Sequence, residues 1–370
     1  MRRISAWLPL YVFLALIAIL LGTRPGLVRQ VVRSALAGNG SDVTPRPLAP
    51  IDSSAAALGR LLFFDPILSS NRQRACASCH LPEKGLSDGR RVAAAIDGGD
   101  LRRNAPGLTN VADQRAFFWD GRAVSLEDQV GGPIHDEREL GGLTGREIEA
   151  RLDSIAEYRA LFYGSYGAKK PRFDDARHAI ASFERTLRST GSTVDRWWSG
   201  EAEPAPADVR AGFDLFAGKA QCSRCHFLPL TTSVVPGRFT EQEFTVIGVP
   251  SDSTGSALDP DLGRYEVTRN AADRHAFKAP SLRGIARSAP YMHNGAFVSL
   301  AQVVRFYNQG GGRGLGLAVP NQAPEVRPLH LTPGEEEAVV RFLEALSDDP
   351  ATIAEAPTRV PSGLQVGGKY

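Results

Sequence analysis

Cys76-Ala77-Ser78-Cys79-His80 is the stretch around which the rest of the chain is organised. Two thiols three positions apart suit thioether bonds to the two vinyl groups of a haem, and the adjoining histidine is placed to ligate the iron from one face. The same unit returns as Cys222-Ser223-Arg224-Cys225-His226. Together the two pentapeptides consume all 4 cysteines of the chain, so no thiol remains for a disulfide or a separate metal site. A redox CxxC pair is the first rival reading; it sits in a short βαβ context, absent around Cys76, and has no use for the histidine. A zinc site is the second; it would need the two pairs to converge from distant parts of the chain and would leave His80 and His226 unexplained. The motif therefore reads as two covalently bound haem c groups per chain.

Composition allows this reading. A length of 370 residues with 42% hydrophobic content supplies a core for each of two to three domains. A net charge of +2 argues against nucleic acid or a membrane surface as the partner, since neither is served by a nearly balanced surface.

Toward the N-terminus, Arg2 and Arg3 precede an apolar run from Ala6 to Gly22. This is the pattern of an export signal or a single membrane anchor, and it predicts an N-terminal apolar helix within residues 1–37. Ala35-Leu36-Ala37 resembles a cleavage site but lies far beyond the apolar core, which tilts the reading toward a retained anchor. Either outcome exports the folded part to the periplasm, in keeping with thiol chemistry outside the cytoplasm. Residues 38–54 are rich in turn formers and read as a linker.

The folded part reads as mainly α-helical, with two c-type cytochrome domains, duplicated helical haem domains with long loops, at 55–200 and 201–347, and a loose tail at 348–370. A helix from Ala55 to Phe64, capped by Asp52 or Ser53, leads into the first CxxCH. Between His80 and Gly145 the density of Gly, Pro, Asn and Asp predicts loops wrapped around a cofactor. Helical periodicity resumes over Thr144–Leu161, with Thr144 and Glu147 as a capping box, and over Asp174–Leu187. A further helix over Ala207–Gly218 repeats the helix-then-CxxCH order, and a last one, capped by Thr332, runs to Leu346.

Between Gly59 and Leu346 the chain resembles the bacterial diheme cytochrome c peroxidases, and within them the branch that includes MauG, the maturation enzyme of methylamine dehydrogenase. The resemblance rests on Leu62-Phe63-Phe64-Asp65, Arg103-Asn104-Ala105-Pro106, Phe118-Trp119-Asp120-Gly121-Arg122, Gly132-Pro133-Ile134 and Pro290-Tyr291-Met292-His293-Asn294-Gly295, in this order around the two CxxCH units. It implies a first haem open to peroxide, a catalytic carboxylate at Glu139, a neighbouring distal amide at Gln129, and Trp119 between the haems as an electron relay. Taken alone, Glu139 belongs to a charged run, Asp136-Glu137-Arg138-Glu139, that would ordinarily be solvated. His135, four positions earlier, reads as a surface or supporting residue. The resemblance also implies a calcium site from Asn104 with the backbone carbonyls of Ser288 and Pro290, an oxygen-only set as calcium prefers. Many family members carry a distal histidine between the first CxxCH and Gly132; none of the 7 histidines here lies in residues 81–134. The resting first haem is therefore expected to be five-coordinate or water-bound.

The second haem has His226 on one face. The peroxidase branch places a methionine fourteen residues after the histidine of the Pro-Tyr-Phe-His-like motif, and here that position is Tyr307. Of the 2 methionines, Met1 is remote and Met292 is adjacent to His293 and out of register, so Tyr307 is the expected ligand and Met292 the alternative. The function implied is reduction of hydrogen peroxide with electrons from a small cytochrome or another one-electron donor. A second reading is a MauG-like oxidase acting on side chains of a partner protein, and a third is a diheme electron carrier without peroxide turnover.

Overall fold

The computed structural model describes residues 51–200, 205–234, 243–349 and 353–368. Helix α1 (Ser53–Phe64) starts where Asp52 accepts from the backbone N–H groups of Ser54 and Ala55, satisfying donors that a helix start leaves unpaired. Its buried Leu58, Leu62, Phe63 and Phe64 pack on α5 (Phe173–Glu184) through Ala179, Ile180 and Phe183. Between them α2 (Leu126–His135), α3 (Gly145–Asp153) and α4 (Ala156–Tyr166) complete the first core. The expected Thr144–Leu161 helix begins at its capping box but breaks into α3 and α4 at Ser154 and Ile155.

The second core repeats the arrangement. Helix α6 (Thr193–Ser199) precedes α7 (Ala207–Ala217), which packs on α11 (Pro333–Glu344), with α9 (Leu300–Gln309) alongside; α8 (Tyr265–Thr268) and α10 (Gly311–Gly314) are single turns. A Cβ on Gly59 would stand 1.9 Å from the Ala179 carbonyl oxygen, and a Cβ on Gly212 would stand 1.9 Å from that of Ala338. The two glycines let α1 approach α5, and α7 approach α11, at backbone contact. The spacings Gly59…Leu62-Phe63 with Ala179…Phe183, and Gly212…Leu215-Phe216 with Ala338…Phe342, match, so the duplication extends beyond the haem motifs. The one strand pair among the described residues, β1 (Phe244–Val246) antiparallel to β2 (Ala276–Lys278), leaves the fold mainly helical.

Three features depart from the sequence reading. Val194 of α6 is fully buried in the second core, so the change of core falls between Leu187 and Val194 rather than at residue 200. Residues 353–368 are no loose tail: Ala354 and Val360 enter the first core, and Ser362 Oγ donates to the buried Asp65 carboxylate at 2.6 Å, which also accepts from the Tyr158 hydroxyl at 2.6 Å. Further on, Gly367 N–H donates to the Phe64 carbonyl and the Gly367 carbonyl accepts from Ser78 Oγ at 2.7 Å, closing this segment over the first CxxCH turn. Third, α2 stands inside the stretch read as loops. Among the described residues no helix is long and apolar enough to cross a membrane; the expected N-terminal apolar helix and most of the linker lie outside the described residues.

Candidate functional site

Each CxxCH forms one turn of 3-10 helix, Cys76–Ser78 and Cys222–Arg224, at the end of the segment leaving α1 or α7. That turn puts both thiols and the following histidine on one cavity wall. The first cavity, about 480 Å³, is lined by Cys76, Cys79 and His80 together with Gln129, Pro133 and Glu139. The second, about 210 Å³, is lined by Cys222, Cys225, His226, Met292 and Tyr307. The two CxxC pairs thus face different cavities and do not converge on one metal. Burial pushes the thiols up, Cys76 and Cys222 to about 12 and Cys79 to about 11, the reverse of the lowered thiol in a redox pair.

The residues fit a haem in each cavity. His80 Nδ1 donates to the Leu86 carbonyl at 2.8 Å, since a carbonyl only accepts, which leaves Nε2 as a free lone pair for iron. Buried Gln129 Oε1 has no hydrogen-bond partner among the described residues, and buried polar atoms are ordinarily satisfied.

Glu139 is brought into the first cavity by the turn that ends α2. Its N–H donates to the Asp136 side chain at 3.1 Å, and within the charged run Asp136, Glu137 and Arg138 remain exposed while Glu139 is half-buried. Burial first, then the Asp136 charge, pushes its carboxyl up to about 7, against a lowering by Arg122. His135 points elsewhere, its Nδ1 donating to the Leu143 carbonyl and its ring against Phe173. His80 is the single histidine lining the cavity.

Helices α2 and α9 are the two copies of one element. Ser125 caps α2 by accepting from Asp128 N–H, and Ser299 caps α9 by accepting from Gln302 N–H; each follows an isolated β-bridge, Phe117 with Ala123 and Tyr291 with Phe297. Counting from these serines, Gln129, Val130 and Pro133 fall at the positions of Val303, Val304 and Tyr307, and all six line their respective cavities. The sequence WDGRAVSL against HNGAFVSL carried this signal, and it identifies Pro133 as a cavity residue that motif reading passed over. Phe118 and Arg122 were passed over too: the Arg122 guanidinium lies 3.5 Å over the Phe118 ring, and both line the first cavity.

Trp119 lines both cavities and is fixed at two points. Its Nε1–H donates to the Asn104 carbonyl at 2.9 Å and its own carbonyl accepts from Lys278 N–H at 2.9 Å. Beside it Arg103 bridges Asp120 at 2.6 Å and Asp261 at 2.7 Å; burial works to raise both carboxyls, but the guanidinium groups hold them below the ordinary carboxylate value. Asn104, Ser288 and Pro290 line the second cavity together, and the Asn104 amide nitrogen donates to the carbonyls of Arg90 and Arg91, leaving its oxygen for another partner. Tyr307 and Met292 both reach the second cavity, so the geometry admits either.

The duplicated helical halves and the two CxxCH cavities define a diheme c-type oxidoreductase. The model of the di-haem cytochrome c peroxidase family matches residues 53–203. Relatives include the methylamine utilization protein MauG of Methylorubrum extorquens, 37% identical over 84% of this chain and 83% of its own, and cytochrome-c peroxidase IdrP1 of Denitromonas iodatirespirans, 35% identical over 85% and 87%. Among solved structures, a MauG-like protein associated with microbial copper homeostasis superposes with a TM-score of 0.75 at 31% identity over 86% of this chain and 97% of that one. The diheme peroxidase BthA of Burkholderia thailandensis superposes at 0.67 with 25% identity over 88% and 93%. The chain belongs to the di-haem cytochrome c peroxidase family and is an oxidoreductase of that type.

Proposed function

We propose that the protein is an exported diheme peroxidase that reduces hydrogen peroxide at the His80 cavity. The observation that carries this reading is the Glu139 carboxyl, the one member of its charged run that is half-buried rather than exposed, in a cavity whose single histidine is His80. The haems, when bound, would supply the irons at which peroxide is reduced and its second oxidising equivalent is held. Glu139, poised near 7, takes a proton from one peroxide oxygen and returns it to the other as the O–O bond breaks, so that the departing group leaves as water. Gln129, whose Oε1 has no partner among the described residues, orients the peroxide by accepting from its hydroxyl. Two electrons and two protons complete the conversion to two waters. The electrons come from a small cytochrome or another one-electron donor, enter at the His226 site and pass Trp119, the aromatic ring shared by both cavities.

Tyr307 is the proposed second ligand at the His226 site, with Met292 the alternative, and Asn104 with the carbonyls of Ser288 and Pro290 is the proposed calcium site, an all-oxygen set. A tyrosine where the peroxidase branch has methionine is also what favours the second reading, a MauG-like oxidase that acts on a partner protein. Export to the periplasm agrees with two CxxCH units and the Arg2-Arg3 apolar leader. The deciding experiment is stopped-flow mixing of the as-isolated oxidised protein with peroxide. A spectral reaction without prior reduction, slowed in Glu139→Gln, supports peroxide activation here; no reaction and two six-coordinate haems would point to an electron carrier.

A further inference from the structure

Among the described residues five line both cavities: Asn104, Pro106, Gly107, Trp119 and Lys278. They are the wall between the two haem sites, and Lys278 is the ionisable one among them. It is the last residue of β2, 5% exposed, with its backbone N–H held by the Trp119 carbonyl. Its ammonium donates to Gln114 Oε1, a neutral carboxamide that reaches it from the first half of the chain. Gln114 is itself 5% exposed, so the pair is sealed from solvent.

Buried Arg74 at the first cavity donates to the carbonyls of Ala94 and Ala95, and two further cations have carboxylate partners. Arg103 is paired with Asp120 and Asp261, and Arg283 with Asp195. Lys278 has no carboxylate partner among the described residues, and burial alone pushes its amine down to about 7. A desolvated ammonium facing only an amide is unfavourable unless a counter-charge arrives from outside the chain. Each haem carries two carboxylate side chains of its own, and the wall that Lys278 occupies is common to both haem cavities.

We propose that Lys278 is the cationic partner of a haem carboxylate at the wall between the two sites, and that its charge sets the reduction potentials of both haems together. This rests on the presence of two haems and not on peroxide turnover. A fixed positive charge favours the oxidation state with less positive charge on the neighbouring iron, so Lys278 holds both haems easier to reduce. The short path through Trp119 would then connect two centres whose potentials rise and fall with one side chain.

The test is a spectroelectrochemical titration of the two-haem protein, with haem content confirmed for each variant. In Lys278→Met both midpoint potentials fall, each by a three- to tenfold change in the oxidised-to-reduced ratio, tenfold being 59 mV for one electron. Gln114→Glu, which sets a carboxylate against the ammonium while keeping Lys278, moves both potentials in the same direction; Lys278→Arg keeps both near wild type. Unchanged potentials in Lys278→Met and Gln114→Glu, or movement of one haem only, would overturn the proposal. Should Lys278→Met fail to accumulate with two haems, Gln114→Glu decides it.

Discussion

Asp136 both holds and charges Glu139: its carboxylate accepts the Glu139 backbone N–H at 3.1 Å, and its negative charge is the second cause, after burial, of the raised Glu139 carboxyl. The group needed as a base is therefore half-ionised near neutral pH. The rate of peroxide reaction should rise with pH through about 7 and level off above it. Asp136→Asn keeps an oxygen acceptor for the turn and removes the charge, so the rise should move to lower pH, measured by stopped flow across a pH series. An unmoved profile would mean that another group controls the step.

Replacing Glu139 by Gln removes the proton carrier without changing the size of the side chain. The peroxide reaction should slow by roughly 10²- to 10⁴-fold, the usual range for a positioned acid–base group. Both haem spectra in the absence of peroxide should stay as in the wild type.

Covalent attachment is tested by counting. The pyridine haemochrome of the purified protein should report two haems per chain, and a Cys222→Ser, Cys225→Ser double variant should report one. Retention of two in that variant would separate the second motif from haem attachment.

Tyr307→Phe should alter the reduction potential and near-infrared spectrum of the second haem, because a phenolate oxygen donates negative charge to iron. Met292→Leu should leave both unchanged. The opposite pattern would assign the ligand to Met292.

Gly59→Ala tests the backbone contact between α1 and α5. Helix propensity alone makes alanine better than glycine by about 1 kcal/mol. With the Ala179 carbonyl 1.9 Å from the new Cβ, the substitution should instead destabilise by about 1–3 kcal/mol, read as a lowered Tm. A raised Tm would show that the two helices part easily.

The features legible in the sequence were those with local causes. Asp52, the Thr144–Glu147 box and the Thr332 cap each announce a helix start through side-chain-to-backbone bonds within three residues, and the structure forms all three. Helix α2 was not legible because Gly131, Gly132 and Pro133 weaken its propensity; its packing against α5 holds it together. Nor could four successive charges reveal which one turns inward, since that is decided by a turn at Asp136 and a cavity built from residues far along the chain. Lys278 gave no signal for the same reason: one lysine in a three-residue strand has no period, and its significance comes from two cavities meeting at it.

The clasp of residues 353–368 over the first CxxCH turn sets an order on biogenesis. In a chain exported N-terminus first, as proposed above, Cys76 and Cys79 would leave the export channel before the segment that covers them, through Gly367 against Ser78 and Phe64. The first haem would then have an open doorway for as long as translocation lasted, and the doorway would shut when the distal end arrived. A chain cut before residue 353 should load haem at Cys76 and Cys79 and then remain sensitive to protease around that turn, whereas the full-length chain should become resistant.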